Sequence, residues 1–423
     1  MKTKSEVSHE RQTRMPFPTV LFIEGCDFET FPAGGQLSMA RSLIKVFGDS
    51  LALVGMSRGD DPVGQWLRKE INGTSYWFFP VCRRNVSAKK PIVPARLTFY
   101  LGLQRYRSSI LSLGSRYALI GAPEGLLAVS RWGLESLCFI FPGVENPLKI
   151  SRYPLARSLW PVFDRLIFSA LDRVSVILAS ADEEAIGRFI LRSGGRITRD
   201  RIVQLPTCVD LSEFRPASIH AARASLGIPS NSTVFVTSGR IAEFKGWDLL
   251  LDAFRVFQRK CPESLLIFIG DGEDRPQVEV ASLARNLGSS VRITGFQGPR
   301  AVSRYLNAAD VYLCASLVEG WSVSMLEALA CGKPIVSTPV SGTNQMIVAK
   351  KNGFVVRTRN PVDFAMAIES ALGLEDPETE SRAIADHYSL TKLGERLGHL
   401  WPPLRLNSLE FASGEPVRQG IDS

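Results

Sequence analysis

Metal-binding patterns are scarce in this chain of 423 residues. Its four histidines stand far apart, and it contains neither a C-x-x-C pair nor an Asp-x-Asp motif. Most of its seven cysteines lie within apolar runs, which is typical of reduced thiols rather than of a disulfide framework or a zinc site. We therefore expect no metal and no bound cofactor. The pattern G-x-G-x-x-G is missing as well, so no dinucleotide is expected.

Long apolar segments are also missing. No apolar run approaches the roughly 18 residues that a membrane-spanning helix needs. Residues 1–14 are polar and lack the apolar core of a signal peptide. These absences favour a cytoplasmic protein, and residues 1–16 are predicted to be disordered.

Acidic residues are absent between Ile71 and Pro123. Residues 1–205 carry 28 Lys and Arg against 18 Asp and Glu, whereas residues 206–423 carry 22 against 24. A basic N-terminal half predicts an anionic partner, but the chain has no nucleic-acid-binding motif, so nucleic acid is not expected. Apolar residues mixed with the cations of residues 83–116 favour docking on the inner face of an anionic cytoplasmic membrane. The alternative is a solvated basic edge of a domain.

This basic stretch is defined by two groups of residues. Its cations are Arg83, Arg84, Lys89, Lys90, Arg96, Arg105, Arg107 and Arg116. The apolar residues around them are Trp77, Phe78, Phe79, Phe99, Tyr100, Leu101, Leu103, Tyr106, Ile110 and Leu111. The membrane hypothesis places these rings and aliphatic side chains in the headgroup layer.

Short apolar runs alternate with helical patterns along the chain, which predicts two doubly wound α/β domains. We expect an N-terminal domain over residues 17–206 and a C-terminal domain over 207–387. Residues 388–402 are predicted to form a helix that packs back on the N-terminal domain, and 403–423 a loose tail. Ligands of such domains bind at the carboxyl ends of the strands, in the cleft between the domains.

The segment from Ser316 to Pro334 is the most informative stretch. Glu319 lies in a turn after a buried strand, and Ser322 begins a predicted helix in which Glu327 is the only charge. An ionised carboxylate accepts two hydroxyl hydrogen bonds, so Glu327 suits a vicinal diol. The free amides of the turn suit a phosphate. The alternative is a structural helix with one solvated Glu.

Two further segments are candidates for binding phosphate, one directly after a predicted strand and one at the start of a predicted helix. Arg240 and Lys245 come directly after a strand, where two cations suit a pyrophosphate. Gly34 and Gly35 open the first helix, where a backbone without side chains can approach a phosphate closely. The alternatives are an ordinary surface Arg and Lys, and turn glycines.

Taken in order, these motifs resemble the retaining glycosyltransferases of family 4, also called group 1 glycosyl transferases, which have the two-domain GT-B fold. The resemblance is strongest from Asp172 to Leu372 and continues in register from Thr19. It implies transfer of a hexose from a nucleoside diphosphate sugar to a glycan or lipid-linked acceptor in polysaccharide or glycoconjugate biosynthesis. It also implies retention of the anomeric configuration without a metal.

The resemblance further implies a role for each motif residue. Glu319 holds hydroxyls of the donor sugar, Glu327 holds the ribose, and Arg240 with Lys245 neutralises the leaving diphosphate. The remaining donor-binding residues are Gly34, Gly35, Gly320, Trp321, Ser322 and Val323, whose backbone would meet sugar or phosphate.

The sequence departs from the family in one functional loop. Many members carry a histidine there, whereas residues 120–125 read Ile-Gly-Ala-Pro-Glu-Gly, so Glu124 or a backbone group is the expected substitute. The departure leaves two alternatives open. One is a catalytically inactive homologue that binds a nucleotide or a partner, and the other is a nucleotide-sugar 2-epimerase or a phosphorylase on the same fold.

Overall fold

The computed structural model describes residues 18–31, 35–59, 61–84, 93–141, 146, 148 and 157–404. Residues 1–16, predicted to be disordered, lie outside this part of the chain, as do Gly34, Lys89 and Lys90. The described residues contain two β-sheets flanked by helices. All seven cysteines fall within the described ranges and are free.

The first sheet is built from the N-terminal half of the chain. Its strands are β1 (Val20–Ile23), β2 (Leu51–Ser57), β3 (Leu67–Ile71), β4 (Thr74–Arg83), β5 (Tyr117–Ile120), β6 (Ser136–Phe141), β7 (Val176–Ala179) and β8 (Ile202–Gln204). Its helices are α1 (Gly35–Phe47), α2 (Ala95–Arg105), α3 (Arg107–Leu111), α4 (Pro123–Val129), α5 (Trp160–Leu171) and α6 (Glu183–Arg192). The strand order is β3-β4-β2-β1-β5-β6-β7-β8, and all neighbours except β3 and β4 are parallel.

Alternate residues of the central strands are buried on opposite faces of this sheet. In β1, Val20 and Phe22 join the core on one face, and Leu21 and Ile23 join the core on the other. A strand buried on both faces reads as a continuous apolar run, which is why these strands were predictable from short apolar segments.

The antiparallel edge strand β3 was missed by the sequence analysis, which predicted a parallel sheet. Its sequence Leu-Arg-Lys-Glu-Ile alternates in burial, and Asn72 and Gly73 connect it to β4 with φ angles of 51° and 80°. An Asn-Gly pair with two positive φ angles is the preferred two-residue hairpin turn. The Asn-Gly turn signal was therefore present in the sequence. It was missed because the run before it, β3, is largely charged and does not resemble a buried strand.

The second sheet is built from the C-terminal half. Its strands are β9 (Thr233–Ser238), β10 (Ser264–Ile269), β11 (Val291–Ile293), β12 (Val311–Cys314), β13 (Ile335–Ser337) and β14 (Gly353–Val355). Its helices are α7 (Ile219–Ser225), α8 (Trp247–Gln258), α9 (Arg275–Ala284), α10 (Pro299–Ala308), α11 (Val323–Ala330), α12 (Thr343–Met346), α13 (Pro361–Leu372) and α14 (Pro377–His387). The order β11-β10-β9-β12-β13-β14 is parallel throughout.

The chain returns to the first sheet through its last described helix, α15 (Leu390–Leu400). Leu393, Leu397 and Trp401 share a core with the β1 face of that sheet, and the Trp401 indole donates to Ser136 Oγ at 2.8 Å. Leu404 is buried in the same core, so packed structure extends two residues beyond the boundary predicted at 402. None of the described helices is long and apolar enough to span a membrane.

Candidate functional site

In each sheet the strand order reverses once. Strands before this point lie on one side of the first strand, and later strands lie on its other side. In the second sheet this switch point lies between β9 and β12, and in the first sheet it lies between β1 and β5. The crevice outside the carboxyl ends of strands at a switch point is where open α/β sheets bind ligands. We call these crevices the C-terminal and the N-terminal switch point.

The C-terminal switch point brings together the two motifs that follow β9 and β12. Ser238, Arg240, Lys245, Ser316, Glu319 and Ser324 line the same cavity. Lys245 Nζ lies 2.6 Å from Glu319 Oε1, and Ser316 Oγ donates to the same carboxylate oxygen at 2.7 Å. Two residues far apart in sequence thus form one partly buried ion pair at the sheet edge.

Arg240 occupies the outer part of the same cavity. Its side chain is 56% exposed, and it pairs with Glu273 at 3.2 Å while its guanidinium lies 5.2 Å from the centre of the Phe244 ring. An exposed ion pair contributes little stability, so a phosphate can replace Glu273 at low cost. Arg240 is therefore accessible to an anion in a way that Lys245 is not.

Glu327 lies on α11, half-buried and next to this cavity along the chain. Among the described residues, none donates a hydrogen bond to its carboxyl group. Burial raises its pKa from 4.5 to about 8. A buried carboxyl group without a partner is costly, so Glu327 is suited to accept hydrogen bonds from a ligand.

The turn before α11 presents its backbone rather than its side chains. Ser322 Oγ caps the helix by accepting a hydrogen bond from the Met325 amide at 3.3 Å, as the sequence predicted. The Trp321 ring is only 6% exposed and packs on Tyr388, with ring centres 5.6 Å apart. Gly320 is exposed. Only the amides of this turn, not the indole ring, are therefore available to a phosphate or a sugar.

Two glycines near the site differ in whether the structure has room for a side chain. Gly246 follows Lys245 with φ at 69°, and a Cβ there would lie 2.0 Å from the Ala315 carbonyl oxygen. Gly35 begins α1, is exposed, and would meet nothing within 4 Å if it carried a Cβ. Gly246 is thus required by the fold, whereas Gly35 is not. No group of residues in the described ranges gathers three or more potential metal ligands.

The N-terminal switch point contains a residue that the sequence analysis missed. Ile23 of β1 pairs with Ile120 of β5, so the next residues, Glu24 and Gly121, lie side by side at the sheet edge. Glu24 is 4% exposed, and burial raises its pKa from 4.5 to about 7. The only signal in the sequence is an acidic residue directly after an apolar strand.

The basic stretch over residues 83–116 differs from its prediction. Three of its six aromatic rings belong to the core: Phe78, Phe79 and Phe99 are at most 1% exposed, and the other three are partly buried. Arg84 is engaged with Asp27 at 2.9 Å. Phe78 and Phe79 lie on β4 within the first sheet, and Phe99 lies on α2, which packs against β4, so these three rings cannot reach a headgroup layer.

The exposed apolar residues near this stretch lie on α2 and α5. Leu97 and Leu101 of α2 are 46% and 53% exposed, and Val162 and Leu166 of α5 are 56% and 51% exposed. Both helices contact α4, so they flank it on one face of the domain. Arg105 and Arg165 are exposed on the same helices.

Two doubly wound domains, each with a switch point, define the GT-B class of fold. Sucrose-phosphate synthase from Thermosynechococcus elongatus superposes with a TM-score of 0.73 at 16% identity, covering 91% of this chain and 98% of that one. HepE of Anabaena in complex with UDP-glucose superposes with a TM-score of 0.65 at 16% identity, covering 90% and 98%. The chain has the GT-B fold, as predicted.

Sequence similarity supports a group 1 glycosyltransferase. Residues 218–389 match the family Glycosyl transferases group 1, which confirms the resemblance carried by the motifs. The D-inositol 3-phosphate glycosyltransferase of Nocardia farcinica is 32% identical over 186 residues, which make up 42% of this chain and 41% of that relative. The chain therefore spans less than half the length of this curated relative.

Proposed function

We propose that the chain is a retaining hexosyltransferase that uses a nucleoside diphosphate sugar and a glycan or lipid-linked acceptor in polysaccharide or glycoconjugate biosynthesis. The observation that carries this proposal is the joining of Arg240, Lys245 and Glu319 in one cavity at the C-terminal switch point. Similarity to proteins described as glycosyltransferases supports transfer of a sugar. The complex of HepE with UDP-glucose supports a nucleoside diphosphate sugar as the donor.

The proposed chemistry is electrostatic. As the bond between sugar and diphosphate breaks, negative charge develops on the departing phosphate, and Arg240 and Lys245 stabilise it. The diphosphate competes with Glu319 for Lys245, which frees the Glu319 carboxylate to accept hydrogen bonds from the sugar. Glu327 accepts hydrogen bonds from the ribose hydroxyls, and the amides of residues 320–323 bind sugar and phosphate.

A thermal-shift panel tests the donor class. UDP-glucose, UDP-N-acetylglucosamine, GDP-mannose and ADP-glucose are each compared with the corresponding bare diphosphate. A ligand that binds the folded state raises the melting temperature by mass action, so at least one donor is expected to stabilise the protein. A melting temperature unchanged by every donor and every diphosphate would contradict the proposed function.

Retention and independence from metal are tested on the product. The new glycosidic bond is expected to have the anomeric configuration of the donor, which NMR reads from the anomeric proton. Activity is expected to survive saturating EDTA, because the two cations supply the positive charge that a metal would supply. An inverted product would assign the protein to another mechanistic class, and loss of activity in EDTA would contradict the metal-free mechanism.

We also propose that α2 and α5 hold the protein at the periphery of the inner face of an anionic cytoplasmic membrane, beside a lipid-linked acceptor. Apolar contacts come from the exposed Leu97, Leu101, Val162 and Leu166. Arg105 and Arg165 supply charge complementary to anionic headgroups. This surface replaces the rings of the basic stretch as the apolar part of the hypothesis. Each cation near such a membrane contributes about 1 kcal/mol, so binding is reversible.

Sedimentation with liposomes tests this surface. Binding is expected with phosphatidylglycerol vesicles, weaker with phosphatidylcholine, and reduced by high salt. Replacing Leu97 and Leu101 by Ser is expected to weaken it. The matched control replaces Val280 and Leu283, each 67% exposed on α9 of the other domain. Equal loss of liposome binding in both variants, or no binding by the wild type, would contradict the proposed membrane surface.

A further inference from the structure

Glu24 is held by the loop that precedes α1. Its Oε1 accepts a hydrogen bond from Gln36 Nε2 at 2.5 Å and another from the Gly25 amide at 2.8 Å. Its second oxygen, Oε2, accepts no hydrogen bond from any described residue. A nearly buried carboxyl group thus has one oxygen fixed and one oxygen without a partner.

Gly121 leaves the space in which Oε2 lies. A Cβ at Gly121 would come within 1.8 Å of Oε2, so a side chain there is incompatible with the carboxyl group in this position. Gly121 begins the loop in which the family resemblance leads one to expect a histidine. The loop residue named as its substitute, Glu124, is already paired with Arg96 at 2.9 Å. Glu24 differs from Glu124 because no cation lies within hydrogen-bond distance of it, whereas Glu124 is already paired with a cation through Oε1.

The donor sugar is the ligand group that this position favours. Gln36, which fixes Glu24, directly follows Gly35 in the first turn of α1, where the N-terminal domain is expected to approach the diphosphate. The sugar is attached to that diphosphate, and its hydroxyls require acceptors such as a carboxylate. We propose that Glu24 is a sugar-recognition residue whose Oε2 hydrogen-bonds a hydroxyl of the donor sugar. This inference rests on the proposed use of a nucleoside diphosphate sugar.

The charges around Glu24 make proton uptake on donor binding a second measurable consequence of the proposal. Glu124 and Arg96 act on it from α4 and α2, the Cys26 thiol lies two residues along the chain, and Gln36 on α1 is neutral. Burial raises the pKa of Glu24 to about 7, so near neutral pH a fraction of the molecules carry it ionised. An approaching diphosphate disfavours the ionised form, so donor binding should take up protons at this carboxyl group.

Calorimetry of Glu24→Gln tests the inference. The probe pairs are UDP-glucose with UDP, and GDP-mannose with GDP. The variant is expected to lose about 5- to 10-fold in affinity for the sugar nucleotide that the wild type binds, the scale of one hydrogen bond. It is expected to bind the bare diphosphate at least as tightly as the wild type does, because it lacks the ionised carboxylate that a diphosphate disfavours. Titration in two buffers of different ionisation enthalpy is expected to show that wild type takes up more protons than Glu24→Gln.

Two further variants keep the test decisive. Gly121→Ala retains the charge of Glu24 but displaces Oε2, and it should lose the same selectivity for the sugar nucleotide. Glu124→Gln changes a neighbouring charge that Arg96 already engages, and it should keep that selectivity.

Three outcomes overturn the assignment of Glu24. They are unchanged selectivity in Glu24→Gln, loss of selectivity in Glu124→Gln alone, and impaired transfer with unchanged donor affinity, which would move Glu24 to the acceptor. If the wild type binds none of the four donors of the thermal-shift panel and none of their diphosphates, the proposed function fails instead, so the two failures are distinguishable.

Discussion

The two switch points have the same topology but distribute charge differently. The C-terminal one pairs Lys245 with Glu319 and leaves Arg240 more than half exposed. The N-terminal one buries the carboxyl group of Glu24, which no cation in the described residues contacts within hydrogen-bond distance. Its Arg96 is instead paired with Glu124.

This difference assigns different tasks to the two sheet edges. Cations that can exchange one carboxylate for another suit a ligand with several negative charges, such as a diphosphate. A buried carboxyl group with a raised pKa repels such a ligand when it is ionised but hydrogen-bonds a neutral hydroxyl. If the chain uses the proposed donor, we therefore expect the diphosphate to bind at the C-terminal edge and the neutral sugar to lie toward the N-terminal edge.

The largest expected effect comes from the two cations. Lys245→Ala or Arg240→Ala should leave the fold intact and lower turnover by roughly 10²- to 10³-fold, the scale for removing one group that stabilises charge in the transition state. Steady-state kinetics measures the loss. Lys260→Ala and Arg300→Ala remove exposed cations that also have carboxylate partners, and they serve as matched controls. Unchanged turnover in a folded Lys245 or Arg240 variant would remove that residue from the mechanism.

Substitutions at the two glycines of the site should have different effects, one on stability and one on ligand binding. Gly246→Ala should destabilise the protein by about 3 kcal/mol, because a Cβ meets the Ala315 carbonyl and φ is positive. Gly35→Ala should leave the melting temperature unchanged and weaken diphosphate binding, if the backbone of Gly35 approaches a phosphate. Denaturant unfolding and calorimetry measure the two effects. Full diphosphate affinity in Gly35→Ala would exclude a close approach at this glycine.

A smaller effect is expected from the titration of Glu327. Its folded pKa of about 8 is raised above the value of 4.5, so its favourable contribution is present at low pH and is lost as pH rises through about 8. Glu327→Gln should match the wild type at about pH 5 and exceed its unfolding free energy by on the order of 1–3 kcal/mol at about pH 9. Chemical denaturation at both pH values measures the difference. An equal difference at both would mean that the carboxyl group titrates normally.

The sequence predicted the C-terminal switch point because its signals are local. A strand, a turn with Glu319 and a helix with Glu327 form one continuous segment, and Arg240 with Lys245 directly follows another strand. The pairing of Lys245 with Glu319 could not be predicted, since it depends on the neighbouring positions of β9 and β12. The prediction for Trp321 stands only for its backbone, because tertiary packing on Tyr388 buries the ring.

The N-terminal switch point had no comparable local signal. Glu24 and Gly121 lie far apart in the chain and become neighbours only when β1 pairs with β5. Burial, which raises the pKa of Glu24, is a property of the assembled sheet. The basic stretch was misjudged for a related reason, since mixed rings and cations do not reveal that Phe78, Phe79 and Phe99 point into the core.

The most direct test of the account is calorimetric titration of a bare nucleoside diphosphate into three proteins: the wild type, Glu327→Gln and Glu319→Gln. UDP and GDP are the two probes. The account predicts that Glu327→Gln weakens diphosphate binding, because the ribose is part of the probe, and that Glu319→Gln retains it, because the probe carries no sugar of the donor. Weakened binding in Glu319→Gln with full binding in Glu327→Gln would contradict the assignment of the C-terminal switch point.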